Sequence, residues 1–166
     1  SSAQPQNTLY YRGLSYVAGA YKAMGNYQKS NELFAQVFNE SKPLMAASLF
    51  DYKPLEKAAF EATVNAATNQ KTKEALYALQ GYYTNSFDAM QALYKMNAAS
   101  PHIDFLLSRW VNINEQSINT YTGYETQDIE AKKLKKELKA KVDEHQLKWI
   151  NEVATNGKVH NPYIWK

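Results

Sequence analysis

The stretch from Leu14 to Phe38 carries two runs of helical periodicity, separated by the dipeptide Gly25-Asn26. In each run, apolar residues recur at the three- and four-residue spacing of one helix face. Glycine adopts the left-handed conformation that ends a helix without a Cβ clash, and an asparagine side chain can cap the helix that follows. The sequence therefore predicts two helices, from about Thr8 to Met24 and from about Tyr27 to Asn39, that fold back on each other.

This predicted hairpin resembles a tetratricopeptide repeat (TPR), a helix-turn-helix unit of roughly 34 residues. The ordered large, small, aromatic, turn and proline positions of that family are matched here by Leu14, Ala18, Tyr21, Gly25, Tyr27, Ser30, Phe34 and Pro43. The small residues at positions 18 and 30 would let the two helix axes approach closely. The resemblance implies an all-α fold, an α-solenoid in which antiparallel helix pairs form a right-handed superhelix. The alternative is an unrelated αα-hairpin.

The remainder of the chain also reads as helical, so we predict a single α-helical repeat domain over residues 1–166. Its predicted parts are a clear TPR-like pair at 8–42, an irregular pair at 43–69, a degenerate TPR-like pair at 72–100, helices over 102–155 and the start of a further repeat at 162–166.

Two helices within these parts carry specific expectations. A helix from Pro54 to about Thr68 has an alanine-rich face that we expect to pack closely between neighbouring helices, formed by Leu55, Ala58, Ala59, Ala62 and Ala66. The longest predicted helix runs from about Thr126 to Thr155 and places His145, Trp149 and Val153 on its apolar side.

Composition and motifs give no support for an enzyme. The chain has no cysteine, which excludes disulfides, thiolate zinc sites and a cysteine nucleophile. Its three histidines have no metal-ligand spacing, and no catalytic or nucleotide-binding motif occurs. We therefore expect no enzymatic activity, no cofactor and no metal.

Charge and hydropathy argue against nucleic-acid and membrane partners. The net charge is only +3, and the seven lysines between Lys132 and Lys148 are interleaved with acidic residues. That mixture is typical of a solvated helix face, whereas a phosphate-binding surface has one sign of charge. No apolar run approaches the ~18 residues of a membrane span. We expect neither nucleic-acid binding nor membrane insertion.

The resemblance to TPR proteins implies a non-enzymatic scaffold that binds a protein or peptide through a concave helical surface. The first helix of each pair would line that surface, which gives the candidate partner-binding residues Arg12, Tyr16, Lys22, Tyr82 and Tyr83. TPRs that clamp a C-terminal carboxylate carry Lys and Asn where this chain has Ser15 and Gly19, so that mode is not expected. The alternative is a carbohydrate-binding module, or a component of a bacterial surface glycan-handling system, that uses exposed Tyr and Trp. The 13 tyrosines motivate this alternative.

Both ends of the sequence carry expectations. The segment 1–6 reads as a frayed lead-in, compatible with the remnant of a signal peptide, and the composition favours the periplasm or cell surface over the cytoplasm. We interpret the chain as a fragment of an exported bacterial repeat array. Tyr163, Ile164 and Trp165 are expected to fold back near Trp149 and Val153, or to be covered by a second copy through self-association.

Overall fold

The structure is a computed structural model that describes residues 7–120, 133, 136–137, 143–156, 158–161 and 163–165. Within these residues the chain is helical and contains no strand, which confirms the all-α prediction. The helices with described bounds are α1 (Thr8–Ala23), α2 (Tyr27–Glu40), a 3₁₀ helix (Lys42–Leu44), α3 (Met45–Asp51), α4 (Lys57–Ala66), α5 (Gln70–Tyr83), α6 (Ser86–Met96), α7 (Pro101–Thr120) and α8 (Glu144–Asn156). They fall into two compact units, Ser1–Asn85 and Ser86–Lys166.

The division between the units falls in the turn of the predicted hairpin at 72–100. Its two helices form as α5 and α6, but they belong to different units. The pairing of these two helices therefore stays a prediction, and each unit is described by itself.

The first hairpin forms as predicted. Gly25 has φ +76°, in the left-handed region, and the Asn26 side chain accepts a hydrogen bond from the Lys29 backbone N–H at 3.1 Å. Between the helices, Ala18, Leu33 and Phe34 are buried. The small side chain of Ala18 lets the aromatic ring of Phe34 fill the space between the two helix axes.

Helix α2 is the central element of the first unit. It contacts α1, the 3₁₀ helix, α3, α4 and α5. Half of its residues are buried, namely Ser30, Asn31, Leu33, Phe34, Ala35, Val37 and Phe38. A helix that is covered on most sides needs mainly apolar or small residues, and the single amide in this set, Asn31, has a structural role.

That amide helps to hold the segment before α4 in a non-helical form. Asn31 donates to the Lys53 carbonyl at 2.7 Å and accepts from the Lys53 N–H at 3.1 Å. From the other side, Gln80 of α5 donates to the Leu55 carbonyl at 2.7 Å and accepts from the Leu55 N–H at 3.1 Å. We call these four bonds the amide clamp. The prediction that a helix starts at Pro54 is wrong, because α4 begins at Lys57. The clamp occupies the Lys53 and Leu55 carbonyls, which a helix starting at Pro54 would use for its first hydrogen bonds.

The predicted alanine face of this helix is also wrong. Helix α4 buries Phe60, Thr63 and Val64, whereas Ala58, Ala62 and Ala66 are exposed. The Phe60 ring packs edge-on against Tyr77 of α5, with centroids 5.2 Å apart. Burying a phenyl ring and a valine removes more apolar area from water than burying three methyl groups, so the helix turns that face inward.

In the second unit, α6 packs on α7, and α8 contributes Trp149. The Trp149 indole lies edge-on to Phe87 at 5.3 Å and to Tyr94 at 5.8 Å. Trp165 is buried beside Trp149, with ring centroids 6.3 Å apart. The expectation that the C-terminal residues fold back near Trp149 is therefore confirmed for Trp165.

The neighbours of Trp165 behave differently. Tyr163 is 85% exposed and Ile164 is also exposed, although burial was expected for both. Residues 163–165 form a turn, in which the Tyr163 N–H donates to Asn161. The indole N–H of Trp165 donates to the buried Asp104 carboxylate at 2.8 Å, and this bond explains why one of the three side chains turns inward.

The long helix predicted over 126–155 is wrong at Asp143, which is not helical. Its carboxylate accepts the backbone N–H of His145 at 2.8 Å, in the manner of a helix cap, and α8 starts at Glu144. His145 is exposed, so its predicted place on the apolar side is also wrong, whereas Val153 is buried as expected. Most of the residues predicted before Asp143 lie outside the described residues.

Candidate functional site

Two of the predicted partner-binding residues lie on the solvent side of α1. Arg12 and Tyr16 are both exposed and stand four residues apart, so their side chains are neighbours on one helix face. Ala18 marks the opposite face, which is packed on α2. Both side chains are therefore accessible to a partner, and their role in binding stays a prediction.

Lys22 is placed differently, because its Nζ forms an ion pair with Asp51 at the end of α3, at 3.0 Å. Both side chains are partly exposed, so the pair contributes little to stability. The ion pair does show on which face of α1 the Lys22 side chain lies. Six residues separate Lys22 from Tyr16, about 9 Å along the helix and roughly a third of a turn around it. The predicted site is thus divided between two faces of α1.

Tyr83 of α5 lies against α3, the short helix whose Asp51 pairs with Lys22. Its hydroxyl donates to the Leu49 carbonyl at 2.7 Å, and its ring stacks on Tyr52 with centroids 6.3 Å apart and planes 10° apart. Tyr82 contacts the Tyr83 ring edge-on at 5.2 Å. Tyr52 itself is buried and donates to Gln80 at 2.8 Å, and burial raises the pKa of its hydroxyl well above the ordinary value.

These contacts fix α3 on both sides of Phe50. The preceding residue, Leu49, is held by Tyr83, and the following residue, Asp51, is held by Lys22. The Phe50 side chain between them is 82% exposed. We call the surface formed by Lys22, Phe50, Asp51 and Tyr83 the Phe50 patch. It joins two of the predicted residues, Lys22 and Tyr83, to two that the sequence analysis did not single out.

The sequence contains no signal that would have found Phe50. It lies in a helix of seven residues, too short for a periodic pattern to separate a buried face from an exposed one. Phe34 and Phe50 both follow a leucine in an apolar run, yet one is buried and the other is exposed. Only the packing of the short helix distinguishes them.

A separate, polar cavity of about 460 Å³ opens in the first unit. It is lined by Tyr10, Tyr11, Gln36, Asn39, Glu40, Thr68, Asn69, Lys71 and Thr72. Inside it, Asn39 donates to Glu40 at 2.7 Å, and Lys71 lies 3.9 Å from the same carboxylate. Burial, followed by the negative charge of Glu40, raises the pKa of the Tyr11 hydroxyl.

The described residues contain no group of three His, Cys, Asp or Glu side chains that could hold a metal ion. Among the described residues, His160 Nδ1 lies 3.4 Å from the Asp104 carboxylate. In the part of the chain that the structure describes, no helix is both long and apolar enough to cross a membrane.

Comparison of the chain with protein-family models, with curated proteins and with solved structures gives no match.

Proposed function

We propose that this chain is a non-enzymatic, TPR-like scaffold that binds a protein or peptide partner, with the Phe50 patch as its main contact. The observation that carries the proposal is the exposure of Phe50 between two residues with partners in other helices: the Leu49 backbone carbonyl accepts from Tyr83, and the Asp51 carboxylate pairs with Lys22. A large aromatic side chain left in water is normally a cost, so its fixed presentation favours a binding role.

The energetics agree with such a role. Full burial of a phenylalanine side chain contributes roughly 1.5–3 kcal/mol, and most of the Phe50 ring is available for burial by a partner. The tethers from Lys22 and Tyr83 reduce the conformational entropy that α3 would lose on binding. Aromatic residues in such fixed positions are typical interface hot spots. The partner that fits this patch presents an apolar side chain surrounded by polar groups, because the residues on either side of Phe50 bind Lys22 and the Tyr83 hydroxyl.

The proposed repeat architecture has two supports. The α1–α2 hairpin has the turn glycine, the cap and the small-against-large packing that led to the TPR comparison. Helix α2 also contacts α3 and α4, which fall in the next proposed pair at 43–69, as stacking of successive pairs requires. Arg12 and Tyr16 would contribute a second contact surface on α1.

The test is selection of peptides from a random display library on the immobilised chain, followed by affinity measurements. Phe50→Ala should weaken selected peptides at least tenfold, about 1.4 kcal/mol. Tyr163→Ala is the matched control, because Tyr163 is an aromatic residue of nearly equal exposure in the other unit. If both variants bind alike, or if no peptide is selected, the Phe50 patch is not a binding site.

The carbohydrate-binding alternative has one observation in its favour, the polar cavity near Tyr10. Its amides, hydroxyls and single carboxylate suit a hydroxyl-rich ligand, and Tyr10 at its edge is exposed enough to stack on a sugar ring. The tryptophans give it no support, since Trp149 and Trp165 pack on each other. Calorimetric titration with a panel of mono- and disaccharides, repeated with Tyr10→Ala, would test this alternative. Binding that is unaffected by Tyr10→Ala would rule out the cavity.

A further inference from the structure

Helix α1 has apolar residues on two opposite faces. One face packs on α2 through Leu14, Ala18 and Tyr21. The other, which we call the outer stripe, is formed by Leu9, Gly13, Tyr16, Val17, Ala20 and Met24, the last being the C-cap residue. All six are exposed in the described part of the chain, with Leu9 at 75%, Tyr16 at 73% and Met24 at 69%. A helix that is apolar on both sides is normally covered on both sides.

We propose that a second copy of this chain covers the outer stripe, with the two α1 helices packed antiparallel about a two-fold axis. A two-fold interface requires a surface that is complementary to itself. The stripe meets this requirement, because the intervals between its residues from Leu9 to Met24 are the same when they are counted in either chain direction. An axis between Tyr16 and Val17 places Leu9 opposite the second copy's Met24, and Gly13 opposite its Ala20. From Leu9 to Met24 the side chains of the stripe are large, small, large, large, small and large, an order that is also the same in both directions.

The small residues give this arrangement its close contact. Residues four apart form two ridges on the stripe, Leu9–Gly13–Val17 and Tyr16–Ala20–Met24, each with a small residue in the middle. A Cβ added to Gly13 would meet no atom within 4 Å, so the gap in the first ridge is open to a partner. Such ridges fit into the grooves of an identical helix.

Electrostatics do not oppose this contact. Arg12 and Lys22 are the only charged residues of α1, and both lie outside the stripe. Lys22 is also paired with Asp51. The two stripes would therefore meet without placing a charge in the centre of the interface.

The area that two α1 helices can bury determines how strongly we expect the dimer to associate. Helix α1 is about 24 Å long, and a single pair of such helices buries less than the roughly 800 Å² per partner of a standard interface. We therefore expect a weak dimer, with a dissociation constant on the order of 100 μM. The dimer would cover Tyr16, which the proposed function places in its second contact surface. The Phe50 patch lies on α3 and on the other side of α1, so this inference can fail independently of binding at that patch.

The first test is sedimentation equilibrium of the full chain from about 10 μM to 1 mM, a range that spans the expected dissociation constant. Gly13→Gln fills the gap in the stripe and should weaken association at least tenfold. Gly19→Gln is the matched control, because Gly19 also lies in α1 with no atom within 4 Å of an added Cβ, but outside the stripe. Both changes replace a helical glycine, so circular dichroism should show that both variants fold at least as well as the parent chain.

The second test fixes the antiparallel register. The variant L9K/M24K places like charges opposite each other and should be monomeric over the whole range. The variant L9K/M24E places Lys opposite Glu only in the antiparallel arrangement, so it should associate at least tenfold more tightly than L9K/M24K at low salt. High salt should remove that difference.

Three results would overturn the inference. A parent chain that is monomeric at 1 mM would mean that something other than a second copy covers the stripe. Equal association of the Gly13→Gln and Gly19→Gln variants would place any dimer contact elsewhere. Equal behaviour of the two charge variants at low salt would exclude the antiparallel register.

Discussion

Replacing Asn31 by alanine tests whether the amide clamp holds the first unit together. The change removes two hydrogen bonds to the Lys53 backbone, at 2.7 and 3.1 Å, from a side chain that is fully buried. Each lost bond costs about 0.5–1.5 kcal/mol, and a buried backbone group left without a partner costs about 1–3 kcal/mol. The better helix propensity of alanine returns about 0.7 kcal/mol. Because Lys53 is exposed and water can reach part of its backbone, we expect a net loss of about 2–3 kcal/mol.

The assay is urea unfolding followed by far-UV circular dichroism, with the midpoint and slope fitted for each variant. Gln28→Ala is the matched control on the same helix, because the Gln28 amide bonds to the Ala59 carbonyl at 3.2 Å at an exposed position. We expect the control to lose less than about 0.5 kcal/mol, as surface substitutions usually do.

A double-mutant cycle with Gln80→Ala makes the test sharper. Asn31 and Gln80 hold the same short segment, so releasing it from one side should weaken the other side as well. The double variant should therefore lose less than the sum of the single losses, by about 0.5 kcal/mol or more. Additive losses, or an Asn31→Ala loss below about 1 kcal/mol, would refute the clamp as the reason that α4 starts late.

Four further predictions concern single residues. Phe34→Ala should cost about 3–5 kcal/mol in urea unfolding, because the ring is buried between α1 and α2, and a loss below about 1 kcal/mol would contradict that packing. Gly25→Ala should cost about 1–2 kcal/mol through its backbone conformation alone, since φ is +76° and an added Cβ meets no atom, whereas no loss would argue against the left-handed turn. Because burial raises the pKa of Tyr52, its stabilising contribution is complete below the ordinary tyrosine pKa of about 10 and declines as the pH rises above it, so Tyr52→Phe should flatten the alkaline fall in stability. Trp165→Phe keeps an aromatic ring but removes the bond to Asp104, and we expect a loss of about 1–3 kcal/mol, with an unchanged unfolding midpoint as the contradicting result.

Local signals in the sequence determined the first hairpin and its accessible face. The turn at Gly25, the cap at Asn26 and the bounds of α1 and α2 depend on residues a few positions apart, which is the range over which backbone conformation and helical periodicity act. The resemblance to TPR proteins named Arg12 and Tyr16 as candidate binding residues, and both are exposed on α1.

Tertiary structure decided the features that depend on residues far apart in the chain. Asn31 reaches 22 residues to Lys53, and Gln80 reaches 25 residues to Leu55, so the start of α4 was set by partners that no local pattern contains. The exposure of Phe50 was decided in the same way, by the packing of α3 on α2 and by the hydrogen bond from Tyr83 of α5 to the Leu49 carbonyl. A seven-residue helix has too few residues to define its own buried face, and the elements packed around it determine which of its side chains meet the solvent.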